Sequence, residues 1–191
     1  MASTSAPARH VPGFSAPAVG FEEPFAMLEA CHERVQRTLT LLDRLREHVR
    51  QQGADESARQ AARQAARDVL RYFDVAAPLH HEDEELHVFP LLLAQAAPEM
   101  RTLVQRLQQD HVDMVADWAA ARVPLQALAQ GEIEGFSESA EALFDRFAAR
   151  YASHIHHEER QAYPAALHLL EPALLGRMGQ EMAHRRGAPE R

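Results

Sequence analysis

Apolar residues return every three or four positions through four long stretches of the chain, and between them the pattern breaks on glycine, proline or polar clusters. In the first stretch, about Pro24 to Gln52, the residues Phe25, Leu28, His32, Val35, Leu39 and Leu42 come at alternating spacings of three and four. That spacing stacks side chains on one face of an α-helix. Gly53-Ala54-Asp55 ends it. The second stretch, about Glu56 to Leu93, aligns Val69, Phe73, Ala76, His80, Glu84 and Val88. The third opens at Pro98, a residue suited to a first helical turn, and aligns Leu103, Leu107, His111, Met114, Val115 and Trp118 before Pro124, which is expected to kink or break it. A polar loop runs from Gly131 to Ser137, and Ser137 is placed to cap the fourth helix, whose stripe is Phe144, Phe147, Tyr151, His154 and Glu158. Pro164 is expected to bend or end that helix, and Pro172 to start a short C-terminal helix reaching about His184. No run alternates with the period of a strand.

The pattern predicts an all-α fold. Long amphipathic helices joined by short connections favour an up-down-up-down antiparallel four-helix bundle, here spanning residues 21–186 with the short C-terminal helix included. Residues 1–20 are rich in Ala, Ser and Pro and are expected to form a disordered tail.

Each stripe is oily except at a few positions, and those positions are alike in kind. His32, His80, Glu84, His111, His154 and Glu158 interrupt the apolar faces, and in an alternating bundle they fall at one depth. Burying six polar or ionisable groups is costly unless something pairs with them. Two cations would do so. With four imidazoles and two carboxylates, each Glu can bridge two metals and each metal can take two His, without any thiolate; iron suits that donor set best, with manganese or zinc ranked behind it.

A repeat strengthens this. His80-His81-Glu82-Asp83-Glu84-Glu85-Leu86-His87-Val88-Phe89-Pro90 recurs in recast form as His154-Ile155-His156-His157-Glu158-Glu159-Arg160-Gln161-Ala162-Tyr163-Pro164. In both copies a His precedes a Glu-Glu pair by four residues and an aromatic-Pro pair ends the segment. Positions i and i+4 share a helix face, so each copy aims an imidazole and a carboxylate at one point. A lone core His is ordinarily just hydrogen-bonded, and a bundle with pH-responsive histidines and no metal is the plain alternative; the two matched copies in phase with the core stripes weigh against it. Among the remaining polar residues, His87, His156 and His157 are expected to support a ligand or to face solvent, and Glu85 and Glu159 to hydrogen-bond or stay solvated. Tyr151, Met114 and Trp118 are expected to pack, and Cys31 to be a buried, inert thiol. Gln161 rules out a second Glu-x-x-His element of the ferritin-like kind.

Composition narrows the setting. The chain has 191 residues, 46% of them hydrophobic, which is enough for one core. Its formal net charge of -8 and its scattered basic residues argue against nucleic-acid binding. One cysteine excludes an intramolecular disulfide, and the N-terminal stretch lacks the apolar run of a signal peptide, so a cytoplasmic location is expected. No apolar run approaches the roughly eighteen residues of a membrane span.

The doubled His-x3-Glu-Glu-x3-Phe/Tyr-Pro segments, with one further core His on each of the other two helices, resemble the hemerythrin-like HHE cation-binding family over roughly residues 22–165. The resemblance implies a four-helix bundle holding a non-haem, oxo- or hydroxo-bridged pair of iron ions, with His32, His80, Glu84, His111, His154 and Glu158 as metal ligands. Oxygen-carrying members have a second His one turn after the first on helix three, where this chain has Val115. That departure leaves coordination positions open to dioxygen, peroxide or nitric oxide and favours a sensing or stress-defence role over reversible carriage. An iron-sensing branch has Glu directly after the helix-two His; here His81 stands there, with the choice between turning in as a ligand and staying out left open. The competing function is storage, delivery or sensing of iron without redox turnover.

Overall fold

The computed structural model describes residues 20–51 and 55–188. The expected tail lies almost wholly outside these residues, as does most of the predicted Gly53-Ala54-Asp55 break; Asp55 is described, and its carboxylate accepts from the backbone N–H groups of Ser57 and Ala58 at the start of the second helix.

Among the described residues there are five helices and no strand. Helix α1 is Pro24–Gln51. Helix α2 runs through 56–95, with two widened π segments at Tyr72–Ala76 and Glu84–Val88. Helix α3 is Pro98–Gln130. Helix α4 covers 138–169 with a π segment at Glu158–Ala162, and α5 is Pro172–Arg185. The expected cap is present, Ser137 Oγ accepting from the Ala140 N–H at 3.2 Å.

The π segments have a cause in the sequence. Each ends two residues before a proline, Pro78, Pro90 or Pro164. A proline inside a helix donates no hydrogen bond, and its ring collides with the carbonyl four residues back. Widening the preceding turn relieves that collision, so the helix passes through the proline instead of ending. Thus Pro164 does not terminate α4. Nor does Pro124 break α3: that helix is continuous, and Pro124 sits on its partly exposed side, where the carbonyl it crowds can lean toward water. Each π turn also advances the buried face by one residue, which is why Ala77 is buried where the regular spacing selects Ala76.

Two hydrophobic clusters fill the interior. One includes Val35, Leu42, Val69, Phe73, Ala77, Met114, Phe144, Phe147 and Tyr151; the other includes Phe25, Leu28, Val88, Phe89, Leu107, Ala162 and Tyr163 together with Met178 and Met182 of α5. Along every long helix the chain passes from one cluster to the other. In α1 and α3 the second cluster comes first, and in α2 and α4 it comes last.

Helix α5 is clamped over the second cluster. Gly179 lies so close to the start of the described chain that a Cβ there would stand 1.9 Å from the carbonyl oxygen of Phe21, so no larger residue fits without movement. Arg186 donates to both oxygens of the fully buried Asp83 on α2, at 3.1 and 2.6 Å, and Arg185 lies 3.2 Å from the same carboxylate. Among the described residues no helix is long and apolar enough to cross a membrane.

Candidate metal centre

Between the two clusters lies a polar layer. His32 falls between Leu28 and Val35, His80 and Glu84 between Ala77 and Val88, His111 between Leu107 and Met114, and His154 and Glu158 between Tyr151 and Ala162. All six are buried, and Glu84 and Glu158 have no exposed surface at all.

Their donor atoms form two overlapping groups. His32, His80, Glu84 and Glu158 offer atoms all within 4.8 Å of one another, and so do Glu84, His111, His154 and Glu158. Both carboxylates belong to both groups, and each group has its own two imidazoles. In the first group His32 Nε2 lies 3.1 Å from Glu158 Oε2, and His80 Nε2 lies 3.5 Å from Glu84 Oε1. In the second, His111 Nε2 is 3.4 Å from Glu84 Oε2, and His154 Nε2 is 2.9 Å from Glu158 Oε1. Glu84 Oε2 and both oxygens of Glu158 are nonetheless buried without a hydrogen-bond partner. Buried carboxylate oxygens left in that state are expensive unless a cation completes them, so the residues present fit a metal.

The outward ring nitrogens are held from behind. His32 Nδ1 is 2.9 Å from Glu159 Oε1, His111 Nδ1 is 2.9 Å from Glu85 Oε1, and His154 Nδ1 is 3.4 Å from Asp110 Oδ2. An imidazole that donates Nδ1–H to a carboxylate presents a fixed Nε2 lone pair to a metal. The doubled Glu-Glu of the repeat therefore divides its labour. The first Glu faces the centre, and the second orients an imidazole on a neighbouring helix: Glu85 of α2 on α3, and Glu159 of α4 on α1.

Without metal the charges settle among themselves. Burial works to lower the pKa of His32, but the adjoining Glu158 and Glu84 carboxylates and the Glu159 partner outweigh it and raise it to about 9. His111 is likewise raised to about 10, burial being overcome by the adjoining Glu84 carboxylate and the hydrogen bond to Glu85. His80 is lowered to about 3 by burial. Burial works to raise Glu84, yet His80 and His111 beside it bring its carboxyl well below the usual range. The layer thus holds charged and neutral imidazoles together beside the ionised Glu84 carboxylate, a distribution that divalent or trivalent cations would replace.

Two further polar neighbours join the centre without a signal of their own in the helical spacing. Asp110 directly precedes His111 and carries no distinguishing mark in sequence. Tyr163 stands in sequence as the aromatic before a helix-bending proline; its hydroxyl donates to Glu84 Oε1 and lies 3.3 Å from His32 Nε2. Burial, reinforced by Glu84 and Glu158, pushes its phenol well above the ordinary value in the metal-free protein. The signal for it lies in the repeat, where the corresponding residue of the first copy is Phe89.

His81 stays out of both donor groups and stacks on His111, with ring centres 4.1 Å apart at 15°. His87 lies 2.6 Å from Glu181 and joins α2 to α5, while His157 bonds to the Ser153 carbonyl and His156 is exposed. Tyr151 packs against Phe73 and Phe147 as expected, and Cys31 is buried. Val115 departs from its expected place on the core stripe, being 67% exposed. It lines a cleft of about 400 Å³ with Phe73, Pro78, Met114, Trp118, Tyr151, His81 and His111. His111 alone among the six central residues lines that cleft, so the cleft abuts the second donor group and not the first.

Comparison with known proteins places this geometry in a family. The hemerythrin HHE cation-binding domain matches residues 23–166, a span that contains all six central residues. An uncharacterized protein of Haemophilus influenzae is 33% identical over 170 residues, covering 89% of this chain and 94% of that protein. The chain belongs to the hemerythrin HHE cation-binding domain family.

Proposed function

We propose that the protein is a non-haem di-iron protein that binds or reacts with dioxygen, peroxide or nitric oxide in a sensing or stress-defence role. The observation that carries this reading is the pair of donor groups sharing Glu84 and Glu158, each completed by its own two histidines. His32 and His80 would hold one ion and His111 and His154 the other. Imidazole and carboxylate donors without thiolate suit iron, ahead of manganese and zinc. When bound, such a pair supplies reversible electron transfer and coordination positions for a small molecule.

The chain's own residues do the rest. Glu85, Glu159 and Asp110 keep three imidazoles aimed inward. The two hydrophobic clusters exclude water from both ends of the polar layer. The mostly apolar cleft beside His111 suits the approach of a neutral diatomic molecule or peroxide, and Val115 forms part of its wall where a bulkier ligating residue would narrow it. The alternation of the four long helices between the two clusters supports the up-down-up-down antiparallel bundle, with residues 21–186 as one domain. A single, buried cysteine and the absence of a basic stripe support a cytoplasmic protein without a nucleic-acid partner.

The test is spectroscopic. Protein purified without a histidine tag and loaded with iron should change its visible and near-ultraviolet absorption on exposure to nitric oxide or peroxide. Stoichiometric iron with a spectrum indifferent to dioxygen, peroxide and nitric oxide would replace this reading with one of iron storage, delivery or sensing.

A further inference from the structure

We propose that Tyr163 is itself a metal ligand, its phenolate oxygen completing the position built by His32, His80, Glu84 and Glu158; this rests on the di-metal reading of the polar layer. Tyr163 is buried, and its hydroxyl lies against two donors of that one group, Glu84 Oε1 and His32 Nε2. Donors bound to one ion at about 2.0–2.2 Å can stand at most about 4.4 Å apart. His32 Nε2 and Glu84 Oε1 are themselves 4.0 Å apart, and the phenol oxygen is nearer to each of them than they are to one another. Toward these two donors it keeps the spacing that donors to one ion require.

The repeat shows that this oxygen is a departure from symmetry. In each copy the aromatic before the proline packs face to face with a central histidine of another helix. Phe89 lies at 27° and 5.4 Å from His111, and Tyr163 at 7° and 5.6 Å from His32. The first pairing brings no oxygen to the second donor group, whose histidine instead meets the cleft. The second pairing brings one to the first group, which the cleft does not reach. Phe25, edge-on to Tyr163 at 5.6 Å, backs the ring. The two positions are therefore unequal: one is closed by a fifth protein donor, and the other keeps its opening for a small ligand.

Binding involves no redox change. As ferric iron enters, the phenol O–H bond breaks, its proton goes to solvent, and an Fe–O bond forms; a bound cation reverses the preference of a buried phenol for its neutral form.

The decisive measurement uses the full chain loaded with iron in air, with iron quantified and resonance Raman spectra excited in the visible. A ferric phenolate gives a visible charge-transfer band with enhanced tyrosine ring vibrations. That band should be present in the unaltered protein and lost in Tyr163→Phe at unchanged iron content, while near-ultraviolet absorption remains. Tyr72→Phe and Tyr151→Phe should retain it. If Tyr163→Phe fails to fold, ring-deuterated tyrosine in the unaltered protein paired with those two variants assigns the band by elimination. Full iron occupancy without a phenolate band, or a band surviving Tyr163→Phe, overturns the assignment. A chain that takes up no iron overturns the metal-centre reading itself, and the ligand with it.

Discussion

Replacing Glu85 by alanine tests whether the second Glu of each repeat acts through the centre. Its carboxylate lies 2.9 Å from His111 Nδ1, and the side chain is 34% exposed, so its loss leaves neither a large cavity nor a stranded buried charge. The His111 ring keeps its packing against His81 and Phe89 but loses the acceptor that fixes its tautomer and angle. Removing such a partner weakens metal binding about 10–100-fold, which corresponds to about 1.4–2.7 kcal/mol. Partial exposure places Glu85→Ala toward the lower part of that range. Competition between the protein and a chromophoric chelator for zinc or ferrous iron measures it, with His87→Ala as the control because His87 pairs with Glu181 instead. Two binding events are expected, and Glu85→Ala should weaken the one that depends on His111. Unchanged affinity in Glu85→Ala, or an equal loss in His87→Ala, would refute the division of labour within the Glu-Glu pair.

The same geometry constrains other variants and conditions. Glu159→Ala should weaken the other binding event by a similar factor, since Glu159 holds His32 as Glu85 holds His111. In metal-free protein, raised His32 and His111 contribute stability that is complete below their unfolded value near 6.5 and is lost as pH rises through about 9 and 10. His80, lowered to about 3, acts oppositely: its contribution is present above 6.5 and falls away below it. Chelator-treated protein should therefore melt highest near neutral pH, and a melting temperature rising steadily from pH 6.5 to 10 would contradict this. Val115→Trp should fill part of the cleft without replacing any of the six central residues, slowing nitric oxide association in stopped flow while iron content stays constant. Phe147→Ala, which empties a fully buried site against Phe73 and Tyr151, should cost about 3–5 kcal/mol by chemical denaturation.

Much of the fold and its centre is legible in the chain because the chemistry sits on the helical period. His32, His80, Glu84, His111, His154 and Glu158 each take the place of an apolar residue on a stripe, so the pattern that locates the core also locates the polar layer within it. The features that escape it depend on departures from that period. Pro78, Pro90 and Pro164 impose π turns that move the buried face by one residue, and a fixed spacing of three and four therefore selects Ala76 over Ala77. Spacing and apolar character put Val115 on the core stripe, whereas α3 turns it outward to line the cleft. Asp110 and the second Glu of each pair act across helices, on rings that belong to other segments, and no local spacing reports such contacts. Tyr163 is masked by its likeness to Phe89, from which it differs by one oxygen.

The central claim is that two metal positions share Glu84 and Glu158. Anomalous diffraction at the iron edge from crystals of the iron-loaded protein tests it most directly. Two peaks about 3.5–4 Å apart are predicted, both against these carboxylates, with His32 and His80 on one and His111 and His154 on the other. A single peak, or none within this polar layer in protein that has taken up iron, would contradict the account.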